Sequence, residues 1–350
     1  MLPLRRGRVL AAAPPEGGWQ VLEVDVAGAR RPAHADTGLL GETRTGDEVL
    51  VNVAALDLGL GSGGFDVLHA NLSRGLGGEG EPGAHVMKLN YTSLQHAVTP
   101  VEAERGAPPE GPAGSVLGVP LGKPVAVLAL HGQLAPVAWA FARGNRTGRP
   151  LRLGYVQTAG GALPGRLGRD ARALRARGLL AGWISAGSAY GGEEEAMSTP
   201  GALHAGLARH GWDAAVCGPG PGIVGSDSAL GHGGMEALAS AHAALALGSR
   251  TLVVPRMSSA DPRARHRGLS HHTRTVLDLL LKPVTVALAP GREPGRDPHD
   301  WRPGAADLDG YRAAGLPART MGRTLEEDPD FFAAALAGGS VLAALADEDE

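Results

Sequence analysis

The 350-residue sequence predicts an α/β protein in which a doubly wound, mainly parallel sheet of about six strands follows a small β-barrel-like domain. Two observations lead to this fold class. Before residue 80, apolar and polar residues alternate in short segments separated by glycine turns, as in half-exposed strands. After residue 118, short and wholly apolar segments alternate with longer helical patterns, as in a parallel sheet that helices cover on both faces.

The first 80 residues are predicted to form a separate small β-rich domain. Gly17, Gly28 and Gly46 mark its turns, and the glycine-interrupted segment 56–68 would let a strand bend around a corner. A stretch rich in glycine and glutamate ends the domain, and residues 81–117 are predicted to be a connecting segment. The predicted strands are 8–13, 19–26 and 48–53.

Residues 118–320 are predicted to form a Rossmann-like α/β domain. Ser198 and Pro200 provide a cap and a first-turn proline for one helix, and Gly178 and Gly248 follow two other helices where a left-handed cap requires glycine. The strand order 3-2-1-4-5-6, common in such folds, would place the first and fourth strands side by side. The predicted strands are 124–130, 151–157, 179–185, 212–217, 250–254 and 283–289, and the predicted helices are 133–143, 163–177, 199–210, 235–247 and 271–281.

Residues 321–350 are predicted to form a C-terminal helix, over 328–345, followed by an acidic tail. The helix is rich in alanine and leucine, and it has more apolar surface than a single exposed helix requires. This surplus predicts a homodimer.

The composition excludes several kinds of partner and site. A net charge of -3 with only three lysines argues against a nucleic-acid-binding surface. The single cysteine, Cys217, excludes an internal disulfide and a cysteine-based zinc site. The basic first ten residues are not followed by an apolar core, and no apolar run approaches the roughly 18 residues of a membrane span. A cytoplasmic protein without a membrane partner is therefore expected.

The predicted functional site lies at the carboxyl ends of the parallel strands, where helix N-termini and loops converge on a ligand. Polar residues and glycines concentrate at these ends, whereas the opposite ends are ordinary turns. We therefore expect a small anionic molecule to bind there. The candidate ligand-binding residues after the first four strands are His131, Gln133, Gly160, Gly161, Tyr190, Gly191, Gly192, Gly220, Gly222 and Gly225.

The segment 258–273, SSADPRARHRGLSHHT, follows the fifth strand and is the densest in groups that bind anions or transfer protons. An imidazole titrates near neutral pH and can act with a carboxylate as acid and base, and guanidiniums bind anions. The alternative is that these side chains cap helix ends and contact solvent. The candidate catalytic residues are Asp261, His266, His271 and His272, and the candidate anion clamps are Arg263, Arg265 and Arg267.

Two further kinds of site match single motifs. Gly220, Gly222 and Gly225 have the spacing of a dinucleotide-binding loop, but no helical pattern begins before about residue 235. A crossover loop, or an anion site made of backbone amides, explains these glycines better. Adjacent helical residues point about 100° apart, so His271 and His272 could share a metal ion only with a distant third ligand such as a carboxylate. No metal is therefore assigned, and the cofactor is unknown.

Six segments of the chain are HVMKLNYTSLQ, LALHGQLAPVAWA, YVQTAGGALPG, SAGSAYGGEEEAM, CGPGPGIVG and SSADPRARHRGLSHHT. In this order they resemble successive blocks of a bacterial family, domain-of-unknown-function family 3866, up to about residue 290. The resemblance implies no activity or cofactor. It implies that the site residues form one unit, and it adds Lys88, Tyr91 and Gln95 as neighbours of the site. Three segments are also weakly similar to the pyruvoyl-containing subunit of glycine reductase, whose cleavage cysteine has no counterpart here because Cys217 lies elsewhere.

Two classes of function remain open. One is an enzyme that acts on a small anionic substrate with His271 or His272 as acid or base. The other is a metabolite-binding or sensing module without catalysis. In both cases the predicted strand order brings one set of residues to a single pocket: His131, Gly222, Asp261, His266 and at least one of His271 and His272.

Overall fold

The structure is a computed structural model that describes residues 1–60, 63–103, 118–144 and 148–348. It contains two compact units, Met1–Thr99 and Pro100–Glu350, and each has its own hydrophobic core. The second part of the predicted connecting segment, residues 104–117, lies outside the described residues.

The first unit contains the small barrel that the sequence predicts. Alternate residues of its strands, such as Val24 and Val51, are fully buried inside the barrel. The third strand escaped prediction because its sequence, ARRPAHAD, has only alanines and a proline as apolar residues. The barrel strands are β1 (Leu4–Ala12), β2 (Trp19–Val26), β3 (Ala29–Asp36), β4 (Glu48–Asn52) and β5 (Asp66–Asn71), closed in the order β1-β2-β3-β5-β4.

Short elements complete the first unit. Two single-turn helices, α1 (Thr37–Leu40) and α2 (Ala54–Asp57), connect barrel strands. After the barrel, β6 (Val86–Lys88) and β7 (His96–Val98) form an antiparallel hairpin.

The second unit is built on one parallel sheet of eight strands, so the predicted α/β class is confirmed. All six predicted strands are present, and one additional strand pairs at each edge. The strands are β8 (Gly122–Leu128), β9 (Leu153–Thr158), β10 (Gly182–Ala186), β11 (Glu194–Ala196), β12 (Ala214–Pro219), β13 (Ser249–Val254), β16 (Thr285–Leu288) and β17 (Asp300–Pro303). Two small hairpins lie outside the sheet, β14 (Met257–Ser258) with β15 (Gly268–Leu269), and β18 (Arg319–Thr320) with β19 (Arg323–Thr324).

The strand order differs from the predicted one. When the six predicted strands are numbered along the chain, their order is 3-2-4-1-5-6 and not 3-2-1-4-5-6. The first and fourth strands, β8 and β12, are neighbours as predicted. The fifth strand, β13, pairs with β8 instead of β12. The apolar pattern of a strand shows that the strand is buried, but it does not encode how many strands a connection skips.

Helices cover both faces of the sheet. On one face, α3, α4 and α9 pack against strand residues such as Leu128 and Tyr155. On the other face, α5, α6 and α7 pack against Val127, Val156 and Cys217, so the single cysteine is a core residue. The helices are α3 (Leu134–Gly144), α4 (Arg169–Ala176), α5 (Thr199–His204), α6 (Glu236–Ala246), α7 (His271–Leu279), α8 (Leu308–Ala313) and α9 (Pro329–Asp347).

The C-terminal helix α9 belongs to the core of the second unit. Phe331, Leu336 and Leu342 are almost completely buried, and Gly339 packs so closely on α3 that a Cβ atom would lie 2.3 Å from the oxygen of Val137. By length and composition α9 could cross a membrane, but 72% of its apolar window is buried, as in a core helix. The apolar surface of α9, on which the predicted homodimer was based, is therefore covered within the same chain. The homodimer stays a prediction, but α9 no longer supports it.

Candidate functional site

Four histidines from two loops and one helix meet near the carboxyl end of β13, and we call them the histidine cluster: His232, His266, His271 and His272. His232 lies in the loop between β12 and α6. The hairpin β14–β15 folds the next loop back on itself and returns His266 toward α7. Ser270 caps α7 by accepting a hydrogen bond from the amide of His272, which places His271 and His272 in the first turn.

The imidazole rings of the cluster are in contact. His232 stacks on His272 with ring centroids 3.6 Å apart and an angle of 11° between the planes. The rings of His271 and His272 are 4.4 Å apart, and His266 lies 4.8 Å from each of them. The rings of His271 and His272 thus lie close together although adjacent helical residues point about 100° apart, and His232 is the third ring that a shared metal ion would require.

Hydrogen bonds define the protonation of two of these rings. The guanidinium of Arg256 donates from Nη1 to Nδ1 of His272 at 3.0 Å, so His272 is neutral with its proton on Nε2. His232 donates from Nε2 to the oxygen of Ala229 at 2.9 Å, which leaves Nδ1 as the acceptor. In the described part of the chain, Nδ1 of His232 and Nε2 of His271 are buried and have no hydrogen-bond partner. The cluster therefore retains unused hydrogen-bonding capacity.

Arg256 and His232 are the site residues that sequence reasoning missed. Arg256 is only 1% exposed, and it donates to Asp261 Oδ2 at 3.3 Å and to Met321 Sδ at 3.2 Å in addition to His272. Its position two residues after β13 is a usable signal, because the strand end meets the ligand-binding edge of the sheet. Nothing in the sequence around His232 distinguishes it from an ordinary loop histidine.

Asp261 is completely buried and is shared by three arginines. Arg263 donates to it from Nε at 2.9 Å and from Nη2 at 3.0 Å, and Arg256 and Arg323 approach at 3.3 and 3.5 Å. Burial alone would raise the pKa of Asp261, but the hydrogen bonds from Arg263 outweigh it and hold the pKa far below its usual range. A carboxylate that stays ionised cannot exchange protons near neutral pH, so this arrangement does not support the acid–base role predicted for Asp261.

The charges of this group do not balance. Arg323 also donates from Nε to the buried Asp328 at 2.9 Å. Three guanidiniums, those of Arg256, Arg263 and Arg323, thus face two carboxylates, those of Asp261 and Asp328. Because Arg263 and Arg323 make the shorter carboxylate contacts, Arg256 is the cation that remains partly uncompensated. Burial lowers the pKa of Arg256 to about 10, still well above neutral pH, so the charge persists.

All four imidazoles of the cluster are neutral at pH 7. Burial and then the positive charge of Arg256 lower the pKa of His266 to about 3 and that of His272 to about 2. Burial also lowers the pKa of His232 and of His271. The neutral rings leave the charge of Arg256 as the dominant electrostatic feature at this position.

The depressed histidine pKa values predict that acid destabilises the fold. In the unfolded chain a histidine titrates near pH 6.5, whereas His266 and His272 remain neutral in the fold until pH falls to about 3 and about 2. Below pH 6.5 each one lowers the free energy of unfolding by about 1.4 kcal/mol per pH unit. Urea unfolding at several pH values between 6.5 and 5 measures how the free energy of unfolding falls with pH. In His272→Gln this fall should be smaller by about 1.4 kcal/mol per pH unit. An unchanged slope would show that His272 titrates normally in the fold.

The three predicted anion clamps are engaged within the protein. Arg263 holds Asp261, Arg265 forms an ion pair with Asp227, and Arg267 donates from Nε to the backbone oxygen of Asp261 at 3.0 Å. Their donors organise the loop 258–270 before any ligand is considered.

The glycines at the strand ends allow loops to pack backbone against backbone. A Cβ on Gly160 would lie 2.4 Å from the oxygen of Gly233, and one on Gly161 would lie 2.2 Å from that of Gly220. Helix α6 begins only at Glu236, after a single 3-10 turn at Gly233–Met235. The glycines at 220, 222 and 225 therefore do not lead into a helix N-terminus, as a dinucleotide-binding loop requires. Gly222 itself is exposed.

Residues after β10 also have internal partners. Gly191 donates its amide to Glu195 Oε1 at 2.6 Å, and Gly192 donates to Ser185 Oγ at 3.0 Å. Tyr190 is buried. These amides hold the turn between β10 and β11, and the predicted ligand-binding role at this turn stays a prediction.

Gln133 is a structural residue in this fold. Its side-chain oxygen accepts from the amides of Ala129 and Leu130, and its nitrogen donates to the oxygens of Val254 and Pro255. These four bonds saturate the amide group, so none is left for a ligand. By joining the ends of β8 and β13, Gln133 positions the residue that follows Pro255, which is Arg256.

His131 belongs to a different group of residues from the cluster. Its Nδ1 donates to the oxygen of Pro219 at 3.2 Å, and its Nε2 lies 3.9 Å from Asp170 Oδ2. Burial lowers the pKa of His131 and raises that of Asp170. The histidine–carboxylate pair that the sequence suggested at Asp261 thus exists at His131 and Asp170, on the side of the sheet that α3 and α4 cover.

Lys88, Tyr91 and Gln95 lie in the first unit, at the hairpin β6–β7. Lys88 is buried, whereas Tyr91 is exposed and donates its amide to Gln95 Oε1 at 3.1 Å. Their proximity to the histidine cluster stays a prediction.

A metal ion is the alternative ligand of the cluster. His232, His271 and His272 each offer one nitrogen, and these atoms lie within 4.8 Å of one another. Three neutral imidazoles suit a divalent transition metal. However, Nδ1 of His272 accepts from Arg256, and a buried guanidinium at that distance repels a cation. The electrostatics therefore favour an anion.

Comparison with known proteins gives one match. A family model described as "Protein of unknown function (DUF3866)" matches residues 33–339, which is most of the chain. No curated protein and no solved structure matches the chain.

Proposed function

We propose that this chain, which belongs to the DUF3866 family, binds a small anionic ligand at the histidine cluster. The observation that carries the proposal is the charge of Arg256. A buried and incompletely compensated cation is unfavourable by several kcal/mol, and an anion in contact with it would remove that penalty. Oxyanions bind preferentially at such guanidiniums because the N–H groups match their geometry.

Further polar atoms near Arg256 support binding of an anion. Nε of Arg256 is buried and has no partner in the described residues, and His272 carries its proton on Nε2. The amides of the first turn of α7 add the partial positive charge of a helix N-terminus. Because Arg256 is almost completely buried, we expect an anionic group of few atoms, such as a carboxylate or a phosphate.

His271 is the histidine that would transfer a proton if the chain is an enzyme. It is half-buried, and its Nε2 has no hydrogen-bond partner among the described residues. A bound anion would raise the pKa of this imidazole toward neutrality, where acid–base catalysis is most efficient. The second function, a metabolite-binding or sensing module, uses the same anion site without a proton transfer.

Thermal unfolding in different sodium salts tests the anion site. We expect at least one of phosphate, sulfate and acetate to raise Tm above its value in chloride at equal ionic strength. A ligand at 100 times its Kd stabilises by about 2.7 kcal/mol. Arg256→Met should abolish the increase, and Lys282→Gln, an exposed cation outside the site, should keep it.

Two results would overturn this proposal. One is that none of the three anions stabilises the protein more than chloride does. The other is stabilisation by CoCl2 that His232→Ala and His271→Ala abolish, which would identify the cluster as a metal site. With a substrate in hand, a loss of kcat of about 100-fold or more in His271→Ala with unchanged ligand affinity would separate the enzyme from the binding module.

A further inference from the structure

A cavity of about 510 Å³ lies beside α7 in the second unit. Its wall consists of residues from α7, from β15, from the loop before β17 and from β17 itself. Cavities that bind small molecules have volumes of about 300–1,000 Å³. No residue of the histidine cluster lines it, so the cavity is separate from the proposed anion site.

Hydrogen bonds and close packing connect the elements that line the cavity. His299 donates from Nε2 to the oxygen of Leu277 at 3.1 Å and accepts at Nδ1 from the amide of Val284 at 3.4 Å. This histidine ties the loop to α7 and to the segment before β16. Gly295 lies flat on Trp301, since a Cβ there would come within 2.2 Å of the indole. Contacts within the protein thus hold the wall of the cavity in place.

The lining combines an apolar surface with charges of both signs. Leu269, Leu277, Leu280 and Trp301 provide the apolar part. Two arginines and two aspartates provide the charges, and they are Arg274, Arg296, Asp278 and Asp297.

These four charged side chains make no hydrogen bond or ion pair with any other described residue of the protein. Arg274 and Asp278 are one turn apart on α7, a spacing at which opposite charges commonly pair. Elsewhere in this unit, exposed arginines do pair with carboxylates, as Arg302 does with Asp300 and Arg312 with Glu326. The cavity is thus bordered by exposed charges of both signs that no other described side chain engages.

We propose that the cavity binds a zwitterionic amino acid with an apolar side chain. Arg274 would bind the carboxylate, Asp278 would bind the ammonium group, and the leucines and Trp301 would cover the side chain. The two arginines and two aspartates sum to zero charge, so the cavity has no net attraction for a simple anion or a simple cation. The cavity therefore differs in ligand preference from the Arg256 site, where an uncompensated positive charge favours an anion.

A ligand-observed NMR titration tests the proposal with matched molecules. L-leucine should bind saturably, whereas 4-methylpentanoate, which lacks the ammonium group, and 3-methylbutylamine, which lacks the carboxylate, should bind at least about tenfold more weakly. Arg274→Gln and Asp278→Asn should each weaken leucine binding by about tenfold, because each removes one charged partner.

Two matched variants serve as controls. Lys282→Gln removes an exposed charge just beyond α7, and Arg256→Met removes the cation of the histidine cluster. Both should bind leucine like the unaltered chain, so failure of the anion site and failure of this site remain distinguishable. The absence of saturable leucine binding, equal binding of the three molecules, or undiminished binding in both α7 variants would each overturn the zwitterion site. Unchanged Tm values would confirm that the variants are folded.

Discussion

Replacing Asp261 by asparagine is expected to lower the free energy of unfolding by about 3–5 kcal/mol, the range for breaking a buried ion pair on one side. Asp261 has no exposed surface and is contacted by three guanidiniums. Asparagine has the same shape but no charge, so Arg256 would lose its only carboxylate partner in the described residues. Urea unfolding at pH 7 measures the effect.

A double substitution gives this prediction a sharp control. If the loss arises from an uncompensated charge at Arg256, then Arg256→Met combined with Asp261→Asn should recover part of it. Asp309→Asn is the matched surface variant, because Asp309 is paired with Arg312 but is 91% exposed. It should change stability by about 1 kcal/mol or less. A similar small effect for Asp261→Asn would contradict the charge balance described for the site.

Leu336→Ala in α9 is expected to destabilise the chain by about 2–5 kcal/mol. Leu336 is completely buried where α9 packs on the core of the second unit. Truncating its side chain to alanine leaves a cavity that the surrounding side chains cannot fill. The loss should be independent of protein concentration because it arises within one chain. Leu281→Ala, which truncates a leucine that is 85% exposed, should have almost no effect.

The same variant tests the predicted homodimer. Sedimentation at micromolar concentration should show the same oligomeric state for the unaltered chain and for a folded Leu336→Ala protein. A change from a stable dimer to an equally stable monomer would place α9 in a subunit interface and contradict its position in the core.

The expected site residues illustrate where sequence reasoning succeeds. The grouping of His266, His271 and His272 followed from their proximity along the chain, and the structure places their rings in contact. His232 is 34 residues from His266 and carries no local signal, so only folding could reveal it. Arg256 is a site residue because it is buried, and whether an arginine is buried depends on its neighbours in space rather than on the sequence around it.

Asp261 shows the opposite case. Sequence reasoning paired it with a histidine because carboxylates and imidazoles often act together. The fold surrounds it with arginines instead, and one of them, Arg323, comes from 62 residues further along the chain. Asp170, which lies beside His131, has a raised pKa instead, and no motif in the sequence marks that pair.

The sequence by itself determined the classes of element, the barrel, the six central strands and the family to which the chain belongs. These features depend on periodicities of two and 3.6 residues and on contiguous segments, which are local properties of a chain. Only the tertiary structure decided that β13 pairs with β8, that α9 lies in the core, and which charges meet at Asp261. Those outcomes depend on contacts between residues far apart in sequence, whose free energies reflect burial and distance in space.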